Sequence, residues 1–142
     1  MTVTSISTLA GRLALSALFI LAGLGKLGDG YAGTQGYMEA MGVPGALLPL
    51  VILAEIGGGL AIAFGLLTRW AAIGLAVFSL ASAFLFHFQL ADPAQFVSFY
   101  KNVAIAGGLL VLAAHGAGAL SVDAWVGGRN SSPARPALAG AR

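Results

Sequence analysis

Five side chains in this sequence have the types and depths to do chemistry in an apolar setting: Lys26, Glu55, His87, Lys101 and Asn102. Glu55 is the most telling, because it is the sole ionisable group in the stretch Leu47 to Leu67, LLPLVILAEIGGGLAIAFGLL. A helix of about twenty apolar residues spans a bilayer, and a carboxylate well inside it is costly unless neutralised or paired. Helical spacing puts Gly58, Gly59 and Ile62 on the face of Glu55, so neighbouring backbone can approach and the carboxylate is expected to point into protein. A nearby ammonium from Lys26 or Lys101 would keep both partners charged. In a functional reading Glu55 and His87 exchange protons, while Lys26, Lys101 and Asn102 hydrogen-bond a ligand. In a structural reading Glu55 is half of an ion pair that fixes helix register, the lysines snorkel to the surface, and His87 packs among Phe84, Phe86 and Phe88. No metal site is expected, since His87 and His115 differ widely in depth.

The chain that must position these groups has 142 residues, 58% of them hydrophobic and 8% charged, with a mean hydropathy of +0.92. Such a composition fits one membrane domain and not an ordinary soluble globule. The formal charge of +2 comes from few, scattered basic groups, so nucleic acid is not an expected partner. There is no cysteine, which excludes thiol catalysis, cysteine metal sites and disulfides within this chain. A redox role would therefore need a bound cofactor, a quinone or a partner subunit.

Four apolar spans are expected. The first, LALSALFILAGLG, lies between Arg12 and Lys26. Lys26 stands where a signal peptide would place its small-residue cleavage site, so this span is read as an uncleaved helix, with Arg12 snorkelling to the near surface. Asp29 to Gly45 reads as an interfacial loop with a short amphipathic helix, either a lid over the charged cluster or an ordinary connection. The second span ends at Thr68 and Arg69, and Trp70 opens the third, which runs to Leu90; so tight a link makes the two antiparallel neighbours. Asp92 and Pro93 are a helix-start pair for the fourth span, where Lys101, Gly108 and His115 share one stripe. The expected fold is thus an all-α, integral membrane four-helix bundle over residues 1–123, followed by a flexible cytoplasmic tail, 124–142. Arg12, Arg69, Arg129, Arg135 and Arg142 fall on one side, against Lys26 and Lys101 on the other, which predicts both termini in the cytoplasm. His115 and Asp123 then lie at the cytoplasmic end, where capping or headgroup contact accounts for them.

The runs GLGKL, AEIGGGLAIAFGLLTR, FHF and FYKNVAIAGGLLVLAAHGAGALSVD, in that order, resemble the DoxX family over roughly residues 10–123. The resemblance implies a small, multi-pass protein of the bacterial inner (plasma) membrane, in a family associated with quinone-linked and sulfur-linked redox assemblies. The family's charged pattern carries over onto Lys26, Glu55, Lys101 and Asn102, with His87 after the third helix and Asp123 after the fourth. The leading expectation is a membrane subunit of a quinone-linked oxidoreductase system, with a pocket in the outer half of the bilayer. Lys26, Lys101 and Asn102 would hold the quinone oxygens, Glu55 and His87 would exchange protons, and the phenylalanines would form apolar walls. The expected partners are lipid, quinone and other membrane or redox subunits, with a homo-oligomer as a further state. The competing expectations are a non-catalytic scaffold and a small carrier of anions or lipids. Two lysines beside one carboxylate would favour an anionic or strongly accepting ligand.

Overall fold

The computed structural model describes residues 2–130. In chain order it contains α1 (Val3–Leu24), α2 (Gly30–Ala40), a 3-10 turn (Gly45–Leu47) that leads into α3 (Leu48–Phe64), then α4 (Thr68–Phe86), α5 (Pro93–His115) and α6 (Val122–Asn130). Four of these are long and apolar enough to cross a membrane: α1, α3 with its 3-10 turn, α4 and α5. Only 22–28% of each apolar window is buried within the protein, so most of the apolar surface is left for lipid. In that setting the backbone must satisfy its own hydrogen bonds, which is why every span is helical.

Local sequence sets the helix ends. The Thr2 side chain accepts from the Ser5 N–H at the start of α1, and Asp92 Oδ1 accepts from the N–H groups of Ala94 and Gln95 at the start of α5. Pro93 then occupies a first-turn position where no backbone donor is needed. At the end of α3, Gly65 takes a left-handed conformation (φ 67°) that returns the chain within three residues to α4. The third span is shorter than the expected 70–90: it starts at Thr68, ends at Phe86, and leaves His87 as its C-cap. Residues 122–130, mostly expected in a flexible tail, are helical instead, held where Asp123 meets the α3–α4 link. The remainder of that expected tail, 131–142, lies outside the described residues.

The spans pack as two close pairs, α1 with α3 and α4 with α5; α3 touches α4 less, and α1 touches α5 least. A core of Phe19, Ile62, Ala72, Leu75, Ala76, Ala106, Leu109 and Leu112 joins them. Glycine is required where α1 crosses α3. A Cβ on Gly23 would lie 2.6 Å from Ile56 Cγ1, and one on Gly59 would lie 3.2 Å from the Ser16 carbonyl oxygen.

The start of α1, the α3–α4 link and the end of α5 come together at one pole; Lys26, α2 and the α4–α5 turn lie towards the other. The bias of basic residues predicts that the pole holding the start of α1 and the end of α5 is cytoplasmic. A fluorescent protein fused after Arg142 should therefore glow, and alkaline phosphatase at the same site should be inactive. The opposite pair of results would reverse the orientation.

Candidate functional site

Glu55 is 5% exposed despite its charge, so α3 must supply it with a partner. Gly23 clears the way: with no side chain there, the last turn of α1 lies against Glu55 and Ile56. Lys26, just past that turn, reaches across. Its Nζ lies 2.8 Å from both carboxylate oxygens, donates a hydrogen bond to Oε1 and also donates to the Ala22 carbonyl. Oε2 lies equally close to the ammonium but, among the described residues, accepts no well-aligned hydrogen bond. Among the described residues this is the sole ion pair.

The pair forms part of the wall of a cavity of about 380 Å³ between α3 and α4, covered by α2. Val51, Phe78, Ala81 and Leu85 contribute apolar wall, and α2 contributes Thr34, Tyr37 and Met38. Tyr37 stacks on Phe86 with centroids 5.6 Å apart, which ties α2 to the end of α4. The segment expected as either a lid or a plain connection thus covers a cavity.

His87 lines the cavity too. Its Nδ1 lies 2.8 Å from Gln95 Oε1, an oxygen that accepts from the ring in the tautomer protonated at Nδ1. Gln95 and Thr34 were not singled out in the sequence. Gln95 had a local signal, since it sits one turn beyond the Asp92–Pro93 helix start, but its pairing with His87 depends on the α4–α5 bend.

The structure brings Lys26, Glu55 and His87 to one cavity and leaves two expected members outside it. Lys101 is exposed on α5, and its side chain makes no hydrogen bond or ion pair among the described residues. Asn102 donates from Nδ2 to the Ser98 carbonyl of its own helix. The physical reason is helix rotation: α5 buries Phe99 and Ala106 against α4, and Lys101 lies about 140–160° around the helix from those two residues. Phe84 and Phe88 also differ from expectation; they pack on Phe99, at 5.2 and 5.6 Å, leaving Phe86 as the cavity phenylalanine from the FHF run. Without Lys101 the cavity carries one cation and one carboxylate, so its net charge no longer favours an anion. No group of three or more His, Cys, Asp or Glu side chains with metal-binding geometry occurs among the described residues.

A second polar centre, at the opposite pole, was only partly foreseen. Arg12 does not snorkel: it is 3% exposed, and its Nη1 and Nη2 donate to the carbonyls of Ala117 and Leu120 at 2.6 and 2.7 Å. Asp123 does cap, accepting from the Leu67 and Thr68 N–H groups at the start of α4. Burial pushes the Asp123 carboxyl up, but the Thr68 and Leu67 N–H groups and the Arg12 charge outweigh it and hold its pKa below the usual value. The cap therefore stabilises fully above the unfolded-state pKa of about 3.9 and is lost only as pH falls through the lower folded one.

Comparison with known proteins points the same way as the geometry. The family model described as DoxX matches residues 7–88. The chain is 56% identical over 118 residues to Inner membrane protein YqjF of Escherichia coli (strain K12), covering 83% of this chain and 90% of that protein. It is 34% identical over 122 residues to Inner membrane protein YphA of the same organism, covering 81% and 86%. No solved structure matches it.

Proposed function

The chain belongs to the DoxX family of multi-pass inner-membrane proteins, and from that premise we propose that it is the membrane subunit of a quinone-linked redox system, holding a quinone ring in the cavity under α2. The observation that carries this reading is the buried carboxylate: Glu55, whose Oε2 accepts no well-aligned hydrogen bond among the described residues, beside Lys26 Nζ in an otherwise apolar cavity. A quinone carbonyl accepts from an ammonium, and a quinol hydroxyl donates to a carboxylate, so this pair is matched to both oxidation states. The volume lies within the range of about 300–1,000 Å³ usual for small-molecule sites. Phe78, Phe86 and Tyr37 supply flat apolar walls, and the His87 imidazole lines the same cavity as a second group able to exchange protons. Reduction of a quinone takes up two electrons and two protons. The electrons come from a partner subunit, and Glu55 and His87 serve the protons.

A neutral cavity also separates this reading from an anion carrier, which would need uncompensated positive charge at the site. The scaffold reading has one observation of its own: Lys26 is already shared among Glu55 and the Ala22 carbonyl, as a purely structural tie between α1 and α3 would be. A titration distinguishes them. Purified protein in detergent should bind a short-chain ubiquinone or menaquinone analogue in equilibrium dialysis, at micromolar concentration or below. Ser82→Phe, which fills the cavity from α4, should abolish binding without unfolding the protein. Absence of binding, together with no quinone in solvent extracts of the purified protein, would leave the scaffold.

A further inference from the structure

We propose that the groove between α1 and α5, at the pole holding the start of α1 and the end of α5, is a binding site for one anionic phospholipid. This site is separate from the cavity under α2. Here the two helices diverge because α1 leans on α3 and α5 on α4, leaving a groove of about 500 Å³. Its polarity changes with depth. Thr4, Ser7 and Thr8 line the end near the start of α1, and His115 lines it from the last turn of α5. Leu15 and Gly108 line the deeper part, about 10 Å further along the helices, with Leu112 at intermediate depth. Hydroxyls above an apolar floor match a headgroup above an acyl chain.

Charge selects the headgroup. Arg12 lines the groove with its guanidinium buried; among the described residues its Nε lacks an acceptor and no carboxylate lies within 4 Å of it. Arg69 adds a second guanidinium: its Nε lies 3.8 Å from where a Cβ on Gly116 would stand, and Gly116 lines the groove. Asp123 is the nearby carboxylate, and its two oxygens are already taken by the α4 N-terminus. Lys26 at the other pole has a counter-ion in contact, whereas among the described residues Arg12 has only the more distant Asp123 carboxylate and Arg69 has none within 4 Å. A lipid phosphate, approaching from the leaflet that surrounds the groove, supplies that charge without leaving the membrane.

The test is lipid retention measured by native mass spectrometry of the full chain, with phosphatidylglycerol and phosphatidylcholine of matched acyl length. Each basic group near the headgroup is worth about 1 kcal/mol, or about fivefold, so phosphatidylglycerol should bind one per chain and at least about tenfold more tightly. Arg69→Gln, at an exposed position, should reduce that preference about fivefold. Gly11→Leu and Gly108→Leu should each block the groove and lower retention at least about tenfold; a Cβ at Gly11 meets nothing within 4 Å and one at Gly108 meets only Leu15. Gly74→Leu, on α4 outside the groove and equally open, should bind as the parent does. Equal retention of the two lipids, unchanged retention in both groove variants, or efficient self-cross-linking through Gly11→Cys showing a second copy in the groove would overturn the proposal.

Discussion

Glu55→Ala is expected to destabilise the protein by about 2–4 kcal/mol, measured by denaturation in mixed detergent micelles, because it leaves the Lys26 ammonium without its counter-charge. The figure stands somewhat below that for a fully buried pair, since the Lys26 side chain keeps 23% exposure and can partly turn outward. Glu55→Gln should cost less: it preserves the acceptor for Lys26 and the volume between α1 and α3. Replacing both partners by methionine should recover much of the loss, because an apolar pair leaves no orphaned charge. That recovery would show coupling in a double-mutant cycle. If Glu55→Ala unfolds within about 0.5 kcal/mol of the parent, the ion pair is not holding α1 to α3. The same variants bear on function. A Glu55→Gln protein that folds normally but loses quinone analogue would assign the carboxylate to the ligand rather than to the scaffold.

The spans and the Lys26–Glu55 contact were legible because depth in a membrane is written along the sequence. Counting residues from the end of a span places a side chain at a height, and a carboxylate at that height demands a partner. Rotation about the helix axis is not written so plainly. Lys101 has a height comparable to Lys26, yet it faces away because the choice of α4 as close neighbour turns Phe99 and Ala106 inward. In a span where nearly every residue is apolar, the weak contrast between faces gives no rival signal for which side is buried. The α2 cover was visible as an amphipathic segment, but its seat depends on Tyr37 meeting Phe86 from a helix about fifty residues later in the sequence. Arg12 misled for a related reason. Snorkelling is the default for a basic residue near a helix end, and it was displaced here by carbonyls more than a hundred residues away.

Those carbonyls make Arg12→Met the other large expected effect, a loss of about 3–5 kcal/mol. After α5 the chain turns through Gly116 and Gly118, both at positive φ, and the carbonyls of Ala117 and Leu120 point inward rather than continuing a helix. In a buried setting each unsatisfied carbonyl costs about 1–3 kcal/mol, and methionine matches the length of the arginine stem while satisfying neither. The consequence reaches further than the two bonds. The segment that Arg12 holds leads directly to Asp123, whose carboxylate caps α4 and whose N–H donates to the Gly65 carbonyl at the end of α3. Gly65 is itself fitted around the arginine, since a Cβ there would come within 2.6 Å of Arg12 Nη1. Arg12 therefore fastens α1, the α3–α4 link and the chain after α5 in one place. Arg12→Lys should rescue only part of the loss, because one ammonium cannot reproduce the forked donation to two carbonyls. Asp123→Asn, which keeps an oxygen for one of the two N–H groups, should cost only about 1 kcal/mol. The order Met, then Lys, then Asn at these positions, read from denaturation midpoints and from proteolysis of the 116–121 segment, distinguishes an interlocked pole from a snorkelling arginine. Were Arg12→Met as stable and as protease-resistant as the parent, the guanidinium would have to be reaching the membrane surface after all.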